Sequence, residues 1–267
     1  MPILVIVVPC YNEEEALPET ARLLSEKLSQ LVRERIISPG SALLFVDDGS
    51  SDATWALTED LHRKNPQVFG GIKLSGNCGH QIALMRGLLA VRDYADITVS
   101  IDADLQDDID AIDQMLACYL KGDAIVLGVR SCRETDSFFK RATAVLFYRF
   151  MRLLGANLVE NHADFRLMNR ESLNALAEHK ESNIFLRGIV PSLGFKVGKV
   201  YYGRKKRLAG KSKYTVRKML AFAFDGIFSA GIMGKITADI GARKRLPVYA
   251  IEKTLFKGMN NGAQQRL

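Results

Sequence analysis

The sequence predicts an α/β fold with a mostly parallel central sheet flanked by helices. Three observations predict it. Short continuous apolar runs such as "ILVIVVP" (3–9) suit strands buried on both faces. Longer segments with apolar residues near helical spacing separate them, and strand–helix alternation makes βαβ units with right-handed crossovers. Several strand ends also carry carboxylates, as in "FVDDGSSD" and "VSIDADLQDD".

In order along the chain, strand 3–9 leads to a helix over 13–35, with Leu17, Leu24, Leu28 and Leu31 on one face. Glu13, Glu14 and Glu15 suit its N-terminal dipole. Strand 41–47 stops at Asp47, and Ser50, Ser51 and Asp52 suit the cap of a helix over 53–65. Strand 70–76, helix 80–94, strand 96–105, helix 109–121 and strand 123–130 follow. Asp107 and Asp108 are read as a helix start, and His80 as a helix cap; His162 has no assigned role. Beyond Arg130 the pattern changes. Residues 138–154 read as a helix with an apolar stripe flanked by Lys140, Arg141, Arg149 and Arg152. From Ser182 to Phe224 there is no acidic residue. The tail from Lys235 has little periodicity and is expected to be loosely ordered at its end.

The 267 residues are 48% hydrophobic and 25% charged, enough for a sizeable core and against wholesale disorder. The net charge of +7 favours anionic partners. Cys10, Cys78, Cys118 and Cys132 form no C-x-x-C pair, which removes zinc-ribbon and thioredoxin-type sites. No uninterrupted apolar run reaches the roughly 20 residues that span a bilayer.

In open parallel sheets, ligands sit outside the carboxyl ends of the strands. Strand one delivers Pro9, Tyr11, Asn12 and Glu13 there, strand two Asp47 and Asp48, strand four Asp102, Asp104 and Gln106. Converging oxygens suit Mg²⁺ or Mn²⁺, which would neutralise a bound diphosphate. A lone D-x-D is weak, since strand-end aspartates often only cap helices. Three acidic strand ends at βα spacing are much more specific.

Six ordered stretches, "VVPCYNEEEAL", "FVDDGSSDAT", "GHQIALMRGL", "DADLQDD", "ADFRLMNR" and "RKKRLAGKSKY", make residues 2–228 resemble a family 2 glycosyltransferase of GT-A fold. More narrowly, they resemble the polyprenyl-phosphate glycosyltransferases, the group of bactoprenol glucosyltransferases and dolichol-phosphate mannosyltransferase. The resemblance implies a GT-A domain over 1–215 and an amphipathic or irregular extension over 216–267. It implies that Pro9, Tyr11, Glu13 and Asp47 frame the base and ribose of a nucleotide-sugar, with Asp48 close by. Asp102 would lie beside the diphosphate, and Asp102, Asp104 and Gln106 would serve the metal. Asp164 matches the carboxylate near the acceptor, where a general base belongs; an Asp buried against Arg166 is the equal alternative. Arg204, Arg207, Ser212 and Lys213 match the basic element R-x-x-R-x-x-G-x-S-K-Y, and Arg130 and Arg141 the other cations facing an acceptor phosphate.

The implied reaction is inverting hexose transfer to a polyprenyl phosphate at the cytoplasmic face of a membrane. UDP-glucose is the first choice of donor; GDP-mannose, UDP-aminosugars or a soluble glycan acceptor stay open, as does a homo-oligomer. A nucleic-acid-binding module using the basic stretch ranks low, because it leaves the strand-end carboxylates without a purpose. Most bacterial relatives continue into two hydrophobic C-terminal helices. Here "FDGIFSAGIMG" gives way to "KITADIGARKRLP", so a peripheral membrane contact or a shortened form is expected.

Overall fold

The computed structural model describes residues 1–131, 162–178, 186–203 and 250–256. Its strands are β1 (Leu4–Cys10), β2 (Ala42–Asp47), β3 (Phe69–Leu74), β4 (Ile97–Ser100), β5 (Ile125–Arg130), β6 (His162–Asn169), β7 (Val197–Tyr202) and β8 (Ile251–Leu255). Its helices are α1 (Leu17–Arg33), α2 (Thr54–Lys64), α3 (His80–Ala90), α4 (Ala111–Leu120), α5 (Arg170–Ala177) and the short α6 (Leu186–Ile189). The strands form one sheet in the order β7-β5-β6-β4-β1-β2-β3-β8. β1 pairs in parallel with β2 and β4, β2 with β3, and β5 with β7.

Side chains alternate across a strand, and the core divides accordingly. Leu4, Ile6, Val8 and Cys10 of β1 pack with Leu17, Leu24, Leu28 and Leu31 of α1 and with Ile112, Met115 and Leu116 of α4. Val5 and Val7 face the opposite way, against Ala83, Leu84 and Leu88 of α3. Burial on both faces explains why β1 reads as an unbroken apolar run. Pro9 is tolerated inside it because the β4 ladder stops at Val7 and Ser100, so β1 is locally an edge on that side.

The expected strands and helices up to Arg130 are all present, and several local readings need correction. α1 starts at Leu17 rather than residue 13, with Pro18 in the first turn, where a missing N–H costs nothing. Glu13 accepts backbone bonds from Ala16 and Leu17, and the Glu14 carboxylate instead accepts from the Ala53 N–H beside α2 (2.9 Å). The tail expectation contained no strand, yet β8 pairs antiparallel with the edge strand β3. Lys253 and Lys73 pair with Glu59 and Glu252 to fasten it.

The largest departure is β6. It inserts antiparallel between β4 and β5, with Ser100 and Leu127 both opposite Arg166. Ala163, Phe165 and Leu167 enter the α1/α4 layer. The alternate residues Asp164 and Arg166 therefore point to the α3 side, toward the start of that helix. Among the described residues, no helix is long and apolar enough to cross a membrane.

Candidate active site at the carboxyl edge of the sheet

The loops after β1 and β2 are bonded to each other. Asn12 adopts a positive φ of 51°, its N–H donates to Ser50 Oγ (2.9 Å), and its Oδ1 accepts from the Ser51 N–H (2.8 Å). The Glu13 N–H donates to Thr54 Oγ1 (2.8 Å). These bonds hold Pro9, Tyr11, Asn12 and Glu13 beside Asp47. Tyr11 stays exposed, at 38%. Asp47 is buried, its Oδ1 accepts from the Ser50 N–H (3.2 Å), and its Oδ2 has no hydrogen-bond partner. Burial raises its pKa above the ordinary aspartate value.

Asp48 points the other way. Its carboxylate accepts from the Cys78 N–H (2.7 Å), Cys78 Sγ (2.9 Å) and the Gly79 N–H (2.9 Å), anchoring the loop before α3. Gly49 makes this approach feasible. It has φ of 68°, and a Cβ there would lie 2.6 Å from the Gly76 carbonyl carbon.

That anchored loop aims the first residues of α3 into the site. Gly79 is the N-cap, without a side-chain capping bond, so His80 is not a cap as the sequence suggested. Its Nε2 instead lies 3.5 Å from both Asp102 Oδ1 and Asp164 Oδ2. Burial disfavours its charged form, but the two carboxylates outweigh that and raise its pKa. Gln81 Nε2 donates to Asp164 Oδ2 (3.0 Å), and its Oε1 accepts from the Leu186 N–H (3.1 Å).

Asp164 is 3% exposed and collects cations. The fully buried Arg166 pairs with its Oδ1, and Arg187 Nη2 reaches its Oδ2 at 2.9 Å. Burial alone would raise the carboxyl, yet Arg187, His80 and Arg166 hold it well below the usual carboxylate range. Asp102 has the opposite balance. Its Oδ1 is enclosed without a hydrogen bond, with the His80 ring 3.5 Å away. Burial, with the charges of Asp107, Asp164 and Asp104, pushes it up to about 6 against the pull of His80.

Asp104 and Gln106 sit on a tight turn. Leu105 has φ of 48°, and Asp104 Oδ1 accepts from the Gln106 N–H (3.1 Å). The helix-start reading of Asp107 does not hold. Asp107 is buried and bound by Arg130 and Tyr202, while Asp110 is the N-cap of α4. Asp108 does lie in that start, its carbonyl accepting from the Ala111 N–H. Arg141, Arg204, Arg207, Ser212 and Lys213 lie outside the described residues.

Could these residues hold a divalent cation? Among the described residues no three His, Cys, Asp or Glu side chains form a ready metal cage. Mg²⁺ commonly takes one or two carboxylates plus substrate phosphates, so no cage is required. Hard oxygen donors and the unpartnered Asp102 Oδ1 fit that mode.

Sequence reasoning assigned no site role to His80, Gln81, Arg187 or Tyr202. The position of "GHQ" at the head of a helix after a strand end was the available signal for the first two.

Residues 5–177 match the family model described as glycosyl transferase family 2. The chain is 53% identical over 231 residues to the uncharacterized glycosyltransferase YkoT of Bacillus subtilis, covering 86% of this chain and 68% of that one. It is 36% identical over 230 residues to the bactoprenol glucosyl transferase of Shigella phage SfV, covering 84% and 70%. Among solved structures it resembles glucosyl-3-phosphoglycerate synthase from Mycobacterium tuberculosis, crystallised with Mn²⁺, UDP and phosphoglyceric acid. The TM-score is 0.54 at 19% identity, covering 86% of this chain and 78% of that chain. That last likeness is one of fold, and it is the GT-A arrangement expected from the motifs. With matched sequence over most of the described sheet, and with relatives such as the phage enzyme, the chain belongs to glycosyl transferase family 2.

Proposed function

We propose that the chain transfers a hexose from a nucleotide-sugar, with UDP-glucose as first choice, to a polyprenyl phosphate with inversion at the anomeric carbon. One observation carries the reading: Asp47, Asp102, Asp104 and the Asp164 cation cluster share a single carboxyl edge of the sheet. The names of the bactoprenol glucosyl transferase relatives support the choice of acceptor.

Pro9, Tyr11, Asn12, Glu13 and Asp47 frame the nucleoside, with Asp48 shaping the neighbouring loop. Asp102, Asp104 and Gln106 face the diphosphate and hold Mg²⁺ or Mn²⁺. Such an ion supplies positive charge that stabilises the departing diphosphate. A phosphate oxygen of the lipid attacks C1 of the sugar, the bond from C1 to the diphosphate oxygen breaks, and the nucleoside diphosphate leaves. A phosphate monoester is already anionic near neutral pH, so the nucleophile needs no base. Asp164, paired with two arginines and held ionised, positions Arg187 and His80 rather than taking a proton. A single displacement of this kind inverts configuration. Arg130, Arg141, Arg204, Arg207, Ser212 and Lys213 bind the acceptor phosphate, since guanidinium forks and a lysine point charge suit phosphate. The reaction sits at the membrane surface that holds such a lipid, on the cytoplasmic face.

The test is an extraction assay. The protein is incubated with a short polyprenyl phosphate, Mg²⁺ or Mn²⁺, and a panel of labelled nucleotide-sugars. Label entering the organic phase with one donor supports the reading. Label that stays aqueous with every donor refutes it.

A further inference from the structure

Asp107 has no part in the donor or acceptor chemistry above, yet the end residues of two strands, Arg130 of β5 and Tyr202 of β7, both bond to it. It is 1% exposed. Its Oδ1 accepts from Arg130 Nε (3.1 Å), Arg130 Nη2 (3.0 Å) and the Tyr202 hydroxyl (2.6 Å). Its Oδ2 is buried without a hydrogen-bond partner. A surface ion pair would not need such enclosure.

The phenol is itself held in place. The Tyr202 ring packs edge-on against Phe165, with centroids 5.3 Å apart at 80°. Gly128 makes room for it: a Cβ there would come within 3.0 Å of Tyr202 Cε1 and 2.8 Å of the Phe165 carbonyl oxygen. Arg130, the last residue of β5, keeps 26% of its side chain exposed at the carboxyl edge. A guanidinium has five N–H donors in a rigid fork, and Asp107 engages only two of its nitrogens.

We infer that Asp107 and Tyr202 are positioning residues that clasp Arg130 and link the diphosphate loop to the cation facing the acceptor phosphate. The link is short, because Asp107 directly follows Gln106. The loop 102–106 and Arg130 therefore share one buried carboxylate, and neither moves without disturbing the other. This inference rests on the acceptor reading proposed above.

The experiment measures kcat and the KM of each substrate, using polyprenyl phosphate and whichever nucleotide-sugar the unaltered protein consumes. Asp107→Asn keeps the shape and an accepting oxygen but loses the charge. It should raise the acceptor KM about tenfold, the effect of turning a charge-assisted pair into neutral hydrogen bonds. The donor KM should stay within about twofold. Tyr202→Phe should move the same constant in the same direction by a smaller factor, about threefold, as for a single neutral donor lost from the same oxygen. In an Arg130→Met background, which removes the cation, Asp107→Asn should change the acceptor KM by less than about twofold, because its route of action is already gone.

A rise in both KM values together overturns the inference, as does an undiminished effect of Asp107→Asn in the Arg130→Met background. If Asp107→Asn does not fold, Tyr202→Phe carries the same comparison. An unaltered protein that labels no polyprenyl phosphate refutes the acceptor reading itself. An active one without the KM split refutes only the clasp.

Discussion

Replacing Gly87 by alanine tests how α3 delivers His80 and Gln81 to the site. In an exposed helix the change would stabilise by about 1 kcal/mol. Here Gly87 lies against the sheet, and an added Cβ would sit 2.6 Å from both Val46 Cγ2 and Val7 Cγ1. Ordinary carbon contacts need roughly 3.6 Å, so each is short by about 1 Å. Neither valine yields easily. Both are fully buried on adjacent central strands, and β-branched side chains have little χ1 freedom. Forcing both off-rotamer, or lifting the helix, costs about 1–3 kcal/mol. The net expectation is a loss of about 1 kcal/mol, or a Tm lower by about 3 °C in a chain of this size. The 3.0 Å bond from Gln81 to Asp164 also stretches if the helix lifts, so turnover should fall by more than the stability loss explains. The assays are denaturant unfolding and sugar transfer on the same preparation. An alanine variant that is more stable by about 1 kcal/mol with full turnover would refute the packing argument.

Three further outcomes are expected. Asp164→Asn strands the fully buried Arg166 and should cost about 3–5 kcal/mol along with activity; thermal melts within 2 °C or so of the unaltered protein would contradict the buried ion-pair account. Asp104→Asn retains an oxygen for the Gln106 N–H, so it should leave the melt unchanged and abolish transfer; full activity of the unaltered protein in excess EDTA would remove the metal role. Arg204→Ala and Arg207→Ala should weaken use of the lipid phosphate far more than donor binding, measured by acceptor titration against nucleotide binding; equal losses would argue against an acceptor site there.

The strand–helix alternation up to Arg130 was readable because each βα unit is local. A run such as 3–9 is apolar whatever it pairs with, and an amphipathic helix must follow if both faces of the sheet are to be covered. The strand-end carboxylates Asp47, Asp102 and Asp104 were legible for the same reason, since a parallel sheet places those ends together. β6 was not legible as a strand. The buried pairing of Asp164 with Arg166 was one of the two readings the sequence left open, and both are buried because they neutralise each other, but Arg187, which closes the cluster, was not foreseen. β8 is a short edge strand with exposed charges, so its residues have no apolar signature.

By itself, then, the sequence determined the succession of elements up to β5, the gathering of carboxylates at the carboxyl edge and, through its ordered motifs, the family. Beyond the Asp164–Arg166 pair, only the tertiary structure decided which charges meet. Asp102 and Asp164 lie close along the carboxyl edge but have opposite electrostatics, because two arginines reach one and like charges surround the other. Asp107 changed from a helix start to a hub held by Arg130 and Tyr202. Those partners come from strands far away in the chain, and long-range pairing is set by the packing of the whole sheet rather than by any local pattern.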